Sequence, residues 1–342
     1  MEMIKAFNER KFPIMMSFVA TAMFLVAAFL VCIRSPIDHN DVRVTVEIPK
    51  GASFTAAASI LSDAGLIKHR TLFHLLARLK NAQQRVHAGE YELSTAMSPA
   101  NILDKIMMGE VVEYTVSIPE GYDLRKIADR LAEDKLVKKD VFLKLAKDPE
   151  FLASLGITAG SLEGYLFPDT YAFTRKMGEK EIIRIMIRRF EEKVTPEMRK
   201  RAMSLGLTPN QLLTLASLIE KEAKLKSERA LVSAVFHNRL QKGMKLQCDP
   251  TAVYGLADFE GPIKKSHLRR KSPYNTYVIH GLPPGPIASP GIESVMAALY
   301  PAPVDYVYFV SRNDGSHQFS ETLPEHSRAV RKYQINRKSS GN

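Results

Sequence analysis

The 342-residue chain contains no tryptophan and only two cysteines. Two cysteines exclude a disulfide framework and a four-thiolate zinc site. Without tryptophan, any flat stacking surface must come from the 12 tyrosines and 16 phenylalanines. The nine histidines show no metal-ligand spacing, and no His-Glu-x-x-His run occurs. Gly-x-x-x-x-Gly-Lys-Ser/Thr and Gly-x-Ser-x-Gly are missing too. P-loop, zinc-protease and serine-hydrolase chemistry thereby lose their main signatures. Acids are outnumbered, 37 against 48 Lys and Arg, so the formal net charge is +11. That balance points to anionic partners. With 45% apolar and 25% charged residues, the chain reads as globular rather than disordered or multi-spanning. At roughly 100–200 residues per domain, its length allows two or three domains.

One long apolar run is present. No charged residue lies between Phe12 and Ile33, and about 20 apolar residues span a hydrocarbon core. Lys5, Arg10 and Lys11 precede the run and Arg34 follows it. The positive-inside rule then predicts a cytoplasmic tail over 1–11, with everything beyond Arg34 outside. The run exceeds a signal-peptide apolar region and carries no small-x-small cleavage site, so residues 12–33 are predicted to be an uncleaved transmembrane helix. The expected arrangement is a single-pass anchor with the folded part outside, periplasmic or extracellular. A nucleic-acid partner is not expected there.

Residues 34–42 read as a polar linker. An internal repeat follows, in which Val44–Gly51 (VTVEIPKG) matches Tyr114–Gly121 (YTVSIPEG) at an offset of 70. Leu61, Leu66, Ile67 and Lys68 recur as Leu131, Leu136, Val137 and Lys138. Each copy is predicted to be a strand, a Pro-x-Gly turn, a helix and a second short helix. Ser53 is a candidate N-cap, and Gly65 a helix-ending residue. Between the copies, His87–Leu93 reads as a strand, and Ser98-Pro99 opens a helix that closes at Gly109. Residues 43–113 and 114–160 are thus assigned as two βα modules, neither holding a cluster of chemical residues. Residues 161–335 form the remaining domain, and 336–342 a tail. The overall expectation is an α+β chain. Lys264–Lys271 and Arg328–Lys338 are basic stretches without acids, read as solvated surface or as contacts to anionic lipid or an acidic polymer.

Acid chemistry is what remains. Thr208–Lys224 (TPNQLLTLASLIEKEAK) reads as a helix capped by Thr208 with Pro209 at its first position. Its apolar residues run nearly all round, so it should be buried. Glu220 and Glu222 sit near its end, and a buried carboxyl must be paired or neutralised. Burial raises a carboxyl pKa, which suits a general acid. At roughly 100° per residue the two glutamates diverge by about 160°, so they cannot act as a pair on one site. Ser217 lies one turn before Glu220. From spacing alone, a surface Glu–Lys pair at a helix end is the stronger reading of Glu220. Elsewhere, Ser161–Tyr171 (SLEGYLFPDTY) concentrates acids and tyrosines. Asn238 sits in a helical FHNRL run, and Leu246–Gly255 and Ser272–Gly291 read as loops rich in amides and phenols. Such side chains suit carbohydrate.

Together these runs resemble the endolytic murein transglycosylase, or YceG-like, family. The resemblance rests on Glu163–Tyr171 (EGYLFPDTY), Ala216–Ala223 (ASLIEKEA), Val235–Leu240 (VFHNRL), the Leu246–Gly255 loop, Tyr274–Gly291 (YNTYVIHGLPPGPIASPG) and Phe319–His326 (FSETLPEH). Glu321 departs from the family pattern, where a smaller residue is expected. The resemblance implies a single-pass helix in the inner (cytoplasmic) membrane, LysM-like βα modules and a periplasmic α+β catalytic domain facing the cell wall. It implies that Glu220 is the catalytic acid, supported by Glu222 and Ser217. Candidate substrate-binding residues are Glu163, Tyr165, Asp169, Asn238, Gln247, Tyr254, Asn275 and Tyr277. The implied reaction cleaves the MurNAc–GlcNAc bond within nascent glycan strands of peptidoglycan and leaves 1,6-anhydro ends, terminating elongation. No cofactor and no metal are implied. Penicillin-binding proteins or other wall synthases are candidate partners. Two alternatives stay open: a muramidase-type hydrolase, and a non-enzymatic wall-binding scaffold. His237 or His280 would be a second acid–base group only on a weaker reading.

Overall fold

A computed structural model describes residues 2–256, 259 and 261–335, with side chains from Met15 onward. The side chains of Lys5, Arg10 and Lys11, and the 336–342 tail, lie outside the described residues. The chain forms two compact units, Met1–Tyr114 with Thr174–Lys176, and Thr115–Phe173 with Met177–Asn342.

The first unit begins with helix α1 (Glu2–Arg34). Within it, Met15–Arg34 is long and apolar enough to cross a membrane, with a mean hydropathy of 2.5. Phe18, Met23, Phe24 and Leu25 stand exposed on it, while Ile33 near its end joins the unit's core. Strand β1 (Arg43–Ile48), helices α2 (Phe54–Asp63) and α3 (Arg70–Leu79), strand β2 (Gly89–Ser94) and helix α4 (Pro99–Met108) follow. The two strands pair antiparallel, with Val46 opposite Tyr91. Alternation places Val46, Ile48, Tyr91 and Leu93 on the buried face. Ser53 caps α2 by accepting the Ala56 N–H, and Ser98 caps α4 by accepting that of Asn101.

The second copy repeats the strand–helix–helix opening and adds a short third helix before its second strand. Strand β3 (Tyr114–Ser117) leads into α5 (Leu124–Glu133), α6 (Lys139–Leu145) and α7 (Pro149–Ser154), and pairs with β4 (Thr170–Phe173). The Pro-x-Gly turn bends alike in both copies, at φ +79° for Gly51 and +77° for Gly121. Lys135 takes the left-handed conformation that Gly65 takes in the first copy.

Helices then dominate: α8 (Glu179–Lys193), α9 (Pro196–Ser204), α10 (Pro209–Glu222), α11 (Arg229–Gln241), α12 (Asp249–Val253), α13 (Lys265–Leu268) and α14 (Ile292–Leu299). A hairpin of β5 (Tyr308–Ser311) and β6 (His317–Ser320) precedes α15 (Leu323–Val330). The mixture of helices with two-stranded sheets agrees with the α+β expectation. The Leu246–Gly255 segment differs from its loop reading. Pro250 sits in the first turn of α12, and the basic 264–271 stretch holds the short α13.

Helix α10 is the axis of this unit. Every residue from Leu212 to Ile219 is buried. It packs against α9, α11, α12 and α14. Its start is strongly defined: Thr208 accepts the Gln211 N–H, and the Gln211 side chain accepts the Thr208 N–H. Thr208→Ala is expected to lower unfolding stability by about 1 kcal/mol, read as a reduced denaturant midpoint with an unchanged slope.

Candidate active site

The segment 284–291 runs alongside α10 in the same direction and ties it at three levels. Asn210 donates its side-chain amide to the Pro284 carbonyl, at 3.0 Å. About two turns later, the Ile287 N–H donates to Ser217 Oγ at 3.1 Å. At the far end, the Gly291 N–H donates to Glu220 Oε2 at 3.0 Å. The other edge of the strap meets the Pro-x-Gly turn of the second repeat. There the Gly121 N–H donates to the Ser289 carbonyl and the Ser289 N–H to that of Tyr122, both at 2.8 Å. Gly164, at φ +80°, lies against Pro286, where a Cβ would come within 2.5 Å. Residues distant in sequence thus meet along one ribbon.

Glu220 sits near the C-terminal end of α10 and points at the N-terminus of α14. Its Oε2 accepts from the Gly291 N–H and, at 2.7 Å, from the Ser294 hydroxyl. A helix N-terminus is a favourable place for a carboxylate. Its Oε1 accepts from Arg229 Nη2 at 3.1 Å, and both side chains are only 7% exposed. Arg229 also holds Glu120 through Nη2, at 3.1 Å, and Glu293 through Nη1, at 3.0 Å. Three carboxylates therefore converge on one buried guanidinium. Lys226 gives Glu293 a second cation at 2.9 Å.

Glu222 leaves the helix toward different neighbours. It accepts the Asp249 N–H at 2.9 Å and the buried Cys248 thiol. Burial pushes its carboxyl up to about 7, with Asp249 adding to the effect. Tyr277 donates to Asp249 at 2.5 Å. Glu222, Asp249 and Tyr277 thus form a group of their own beside α10.

Glu163 lines a cavity of about 650 Å³ together with Asp123, Asn210, Tyr254, Tyr274 and Pro284. The volume falls within the range of small-ligand sites. Glu163 is 4% exposed. It accepts the Leu124 N–H at 3.1 Å and the Tyr254 hydroxyl at 2.9 Å. Burial pushes its carboxyl up to about 7; the Tyr254 hydrogen bond opposes that rise and the charge of Asp123 adds to it. Tyr165 borders this region and donates to Asn210 at 3.4 Å, its phenol pushed up to about 12 by burial.

The remaining sequence candidates hold loops in place. Asp169 is ion-paired with Arg189 at 2.6 Å. The Asn238 amide donates to the carbonyls of Val304 and Tyr306. Asn275, fully buried, donates to the carbonyls of His267, Leu268 and Arg270. Gln247, at φ +50°, accepts from Arg239 at 3.3 Å. His237 contacts the Ala298 carbonyl, and burial holds its imidazole below the usual range.

Sequence reasoning missed Glu120, Arg229, Glu293 and Ser294. For Glu120 a signal existed: the turn that reads Pro-Lys-Gly at Lys50 reads Pro-Glu-Gly at Glu120. The two repeats therefore carry opposite charges at the same place.

These features define a cleft-forming domain built around one engaged acidic helix, with amide- and tyrosine-bearing loops beside it. The YceG-like family profile matches residues 46–332. A protein named endolytic murein transglycosylase from Bacillus subtilis (strain 168) is 37% identical over 319 residues, covering 87% of each chain. Its namesake from Streptococcus pneumoniae serotype 2 (strain D39 / NCTC 7466) is 33% identical over 328 residues, covering 86% of this chain and 59% of that protein. The crystal structure of a yceG-like protein from Listeria monocytogenes superposes with a TM-score of 0.59 at 37% identity. That alignment covers 84% of this chain and 99% of the other. The chain belongs to the YceG-like family.

The raised Glu163 carboxyl has a consequence for stability. A group that keeps its proton up to about 7 when folded, against its ordinary value near 4.5 when unfolded, favours folding below that window and loses the advantage as pH rises through it. Glu163→Gln is therefore expected to gain on the wild type between pH 5 and 8, by roughly 3 kcal/mol at most. Paired denaturation curves at the two pH values read the difference.

Proposed function

We propose that this chain is an endolytic murein transglycosylase, anchored in the membrane by α1, with Glu220 as its acid. The observation that carries the reading is the engagement of Glu220: it is nearly buried, held on both oxygens and placed at the focus of a strap, a turn and three helices. The names of the Bacillus and Streptococcus relatives support the substrate class. The substrate is the glycan of peptidoglycan, cut within the strand between N-acetylmuramic acid and N-acetylglucosamine.

Glu220, carrying a proton, donates it to the glycosidic oxygen. The bond to C1 of the muramic sugar breaks and positive charge develops on that centre. Glu220, now ionised, accepts the proton of that sugar's own 6-hydroxyl, whose oxygen closes on C1. The product is a 1,6-anhydro end. Because the nucleophile belongs to the substrate, proximity takes the place of a second acid across the bond. Arg229 lies between Glu120 and Glu220, so these two do not face each other across an open gap as the carboxyl pair of a hydrolase does.

The strand–helix–helix–strand order of residues 43–94, with its antiparallel pair, supports reading this part as a LysM-like module that binds glycan. The exposed apolar face of Met15–Arg34 supports a single-pass anchor, with the N-terminus in the cytoplasm and the rest facing the wall. Lys264, Lys265, Arg269 and Lys271 are exposed and suit anionic lipid or glycan. Cutting nascent strands would end their elongation and place the enzyme beside wall synthases such as penicillin-binding proteins.

Glu220→Gln in the full-length protein is expected to reduce strand cleavage by roughly a thousandfold at a temperature where thermal melts show it still folded, with its melting temperature lowered by the loss of the charge that faces Arg229. Mass spectrometry of wild-type products is expected to show ends lighter by one water than hydrolysed ends. Wild-type activity in the Gln variant would remove Glu220 from this role.

A further inference from the structure

Glu120 has the geometry of a working part rather than a surface charge. It and Glu220 lie 3.1 Å from the same nitrogen, Arg229 Nη2. Glu293 uses the other terminal nitrogen and already has Lys226. Only Glu120 therefore competes with Glu220 for one donor.

Arg229 has little freedom to lose a partner. Its side chain is 7% exposed, and its Nε has no hydrogen-bond partner among the described residues. A buried guanidinium that lost a carboxylate would be left undercompensated. That loss is what protonation of Glu220 threatens, since a neutral carboxyl attracts the guanidinium weakly. Glu120, at 43% exposure, has room to follow the guanidinium. Its seat is built for it: a Cβ on Gly291 would fall 1.9 Å from Glu120 Oε1, so glycine at 291 admits the carboxylate. The same Gly291 donates its N–H to Glu220. The Ile118–Gly121 turn that carries Glu120 is fixed to the strap through Gly121 and Ser289.

We propose that Glu120 is a positioning residue for the acid, the counter-carboxylate that takes up Arg229 whenever Glu220 carries its proton. In the resting state Arg229 Nη2 bridges both carboxylates. When Glu220 gains a proton, Arg229 shifts its weight to Glu120, and Glu220 Oε1 is released toward the glycosidic oxygen. When Glu220 ionises after donation, the bridge reforms. The proton moves only between Glu220 and the sugar oxygens, and no other reactant is consumed. The charged and polar groups facing Glu220 are Arg229 from α11, Glu120 from the turn, Glu293 and Ser294 from α14, and the neighbouring Lys221 of α10, whose ammonium interacts with it electrostatically. The role rests on Glu220 being the acid of the transglycosylase reaction.

The test is the pH dependence of strand cleavage by full-length wild type, Glu120→Gln and Glu120→Asp, with thermal melts of each. Without the counter-carboxylate, protonated Glu220 is disfavoured. For Glu120→Gln, kcat near neutral pH is expected to fall roughly tenfold with KM little changed, and the alkaline limb of the kcat profile to move about one unit lower. Lowering the pH should recover much of the rate, and Glu120→Asp should restore part of it at neutral pH. An unchanged kcat and profile in Glu120→Gln overturns the role. So does a loss that tracks a lowered melting temperature and is independent of pH. If the wild type itself released no anhydro ends, the transglycosylase reading would fail instead, which the same assay reports separately.

Discussion

The buried guanidinium of Arg229 is the interaction on which the second unit's organisation depends. It enters the interior at the first residue of α11 and binds carboxylates from three separate segments: the repeat turn, the end of α10 and the first turn of α14. Removing one partner of a buried ion pair costs about 3–5 kcal/mol, so each of these segments is held to its position by the others. Its arrangement also offsets an unfavourable placement. A carboxylate at the C-terminal end of α10 faces the negative end of that helix, and Arg229 together with the N-terminus of α14 outweighs it.

The strap over 284–291 completes this arrangement without any regular secondary structure. Its Pro284 carbonyl and its Ile287 and Gly291 N–H groups meet Asn210, Ser217 and Glu220 on one side, and both backbone groups of Ser289 meet Gly121 and Tyr122 on the other. These ties fasten the segment to its neighbours although it is a loop. The three acids near α10 are thereby kept in distinct environments. Glu220 is engaged by a cation and a helix N-terminus. Glu163 and Glu222 are held by neutral donors and pushed up to about 7 by burial.

Much of this was readable from residues alone. The capped helix starting at Thr208, the strand-turn-helix order of both repeats and the apolar first helix follow from periodicity and cap chemistry, which act over a few residues. The divergence of Glu220 and Glu222 follows from helix geometry, and their neighbours are indeed different. The partners of Glu220 were not readable, because Arg229, Glu120 and Ser294 come from segments joined only by folding. Asn238 and Asn275 show the opposite limit. Amides in a sugar-like motif look available in sequence, yet here they donate to carbonyls of neighbouring loops. The Lys50 to Glu120 reversal between repeats was visible, but its meaning required the position of Arg229.

In the proposed reaction one acid works with a nucleophile supplied by the substrate. Cleavage of glycan strands by the full-length protein in water enriched in oxygen-18 tests it most directly. New muramic ends are expected to carry no label, since the ring-closing oxygen is the sugar's own. Label at C1 of those ends would mean that water attacks, and would contradict it.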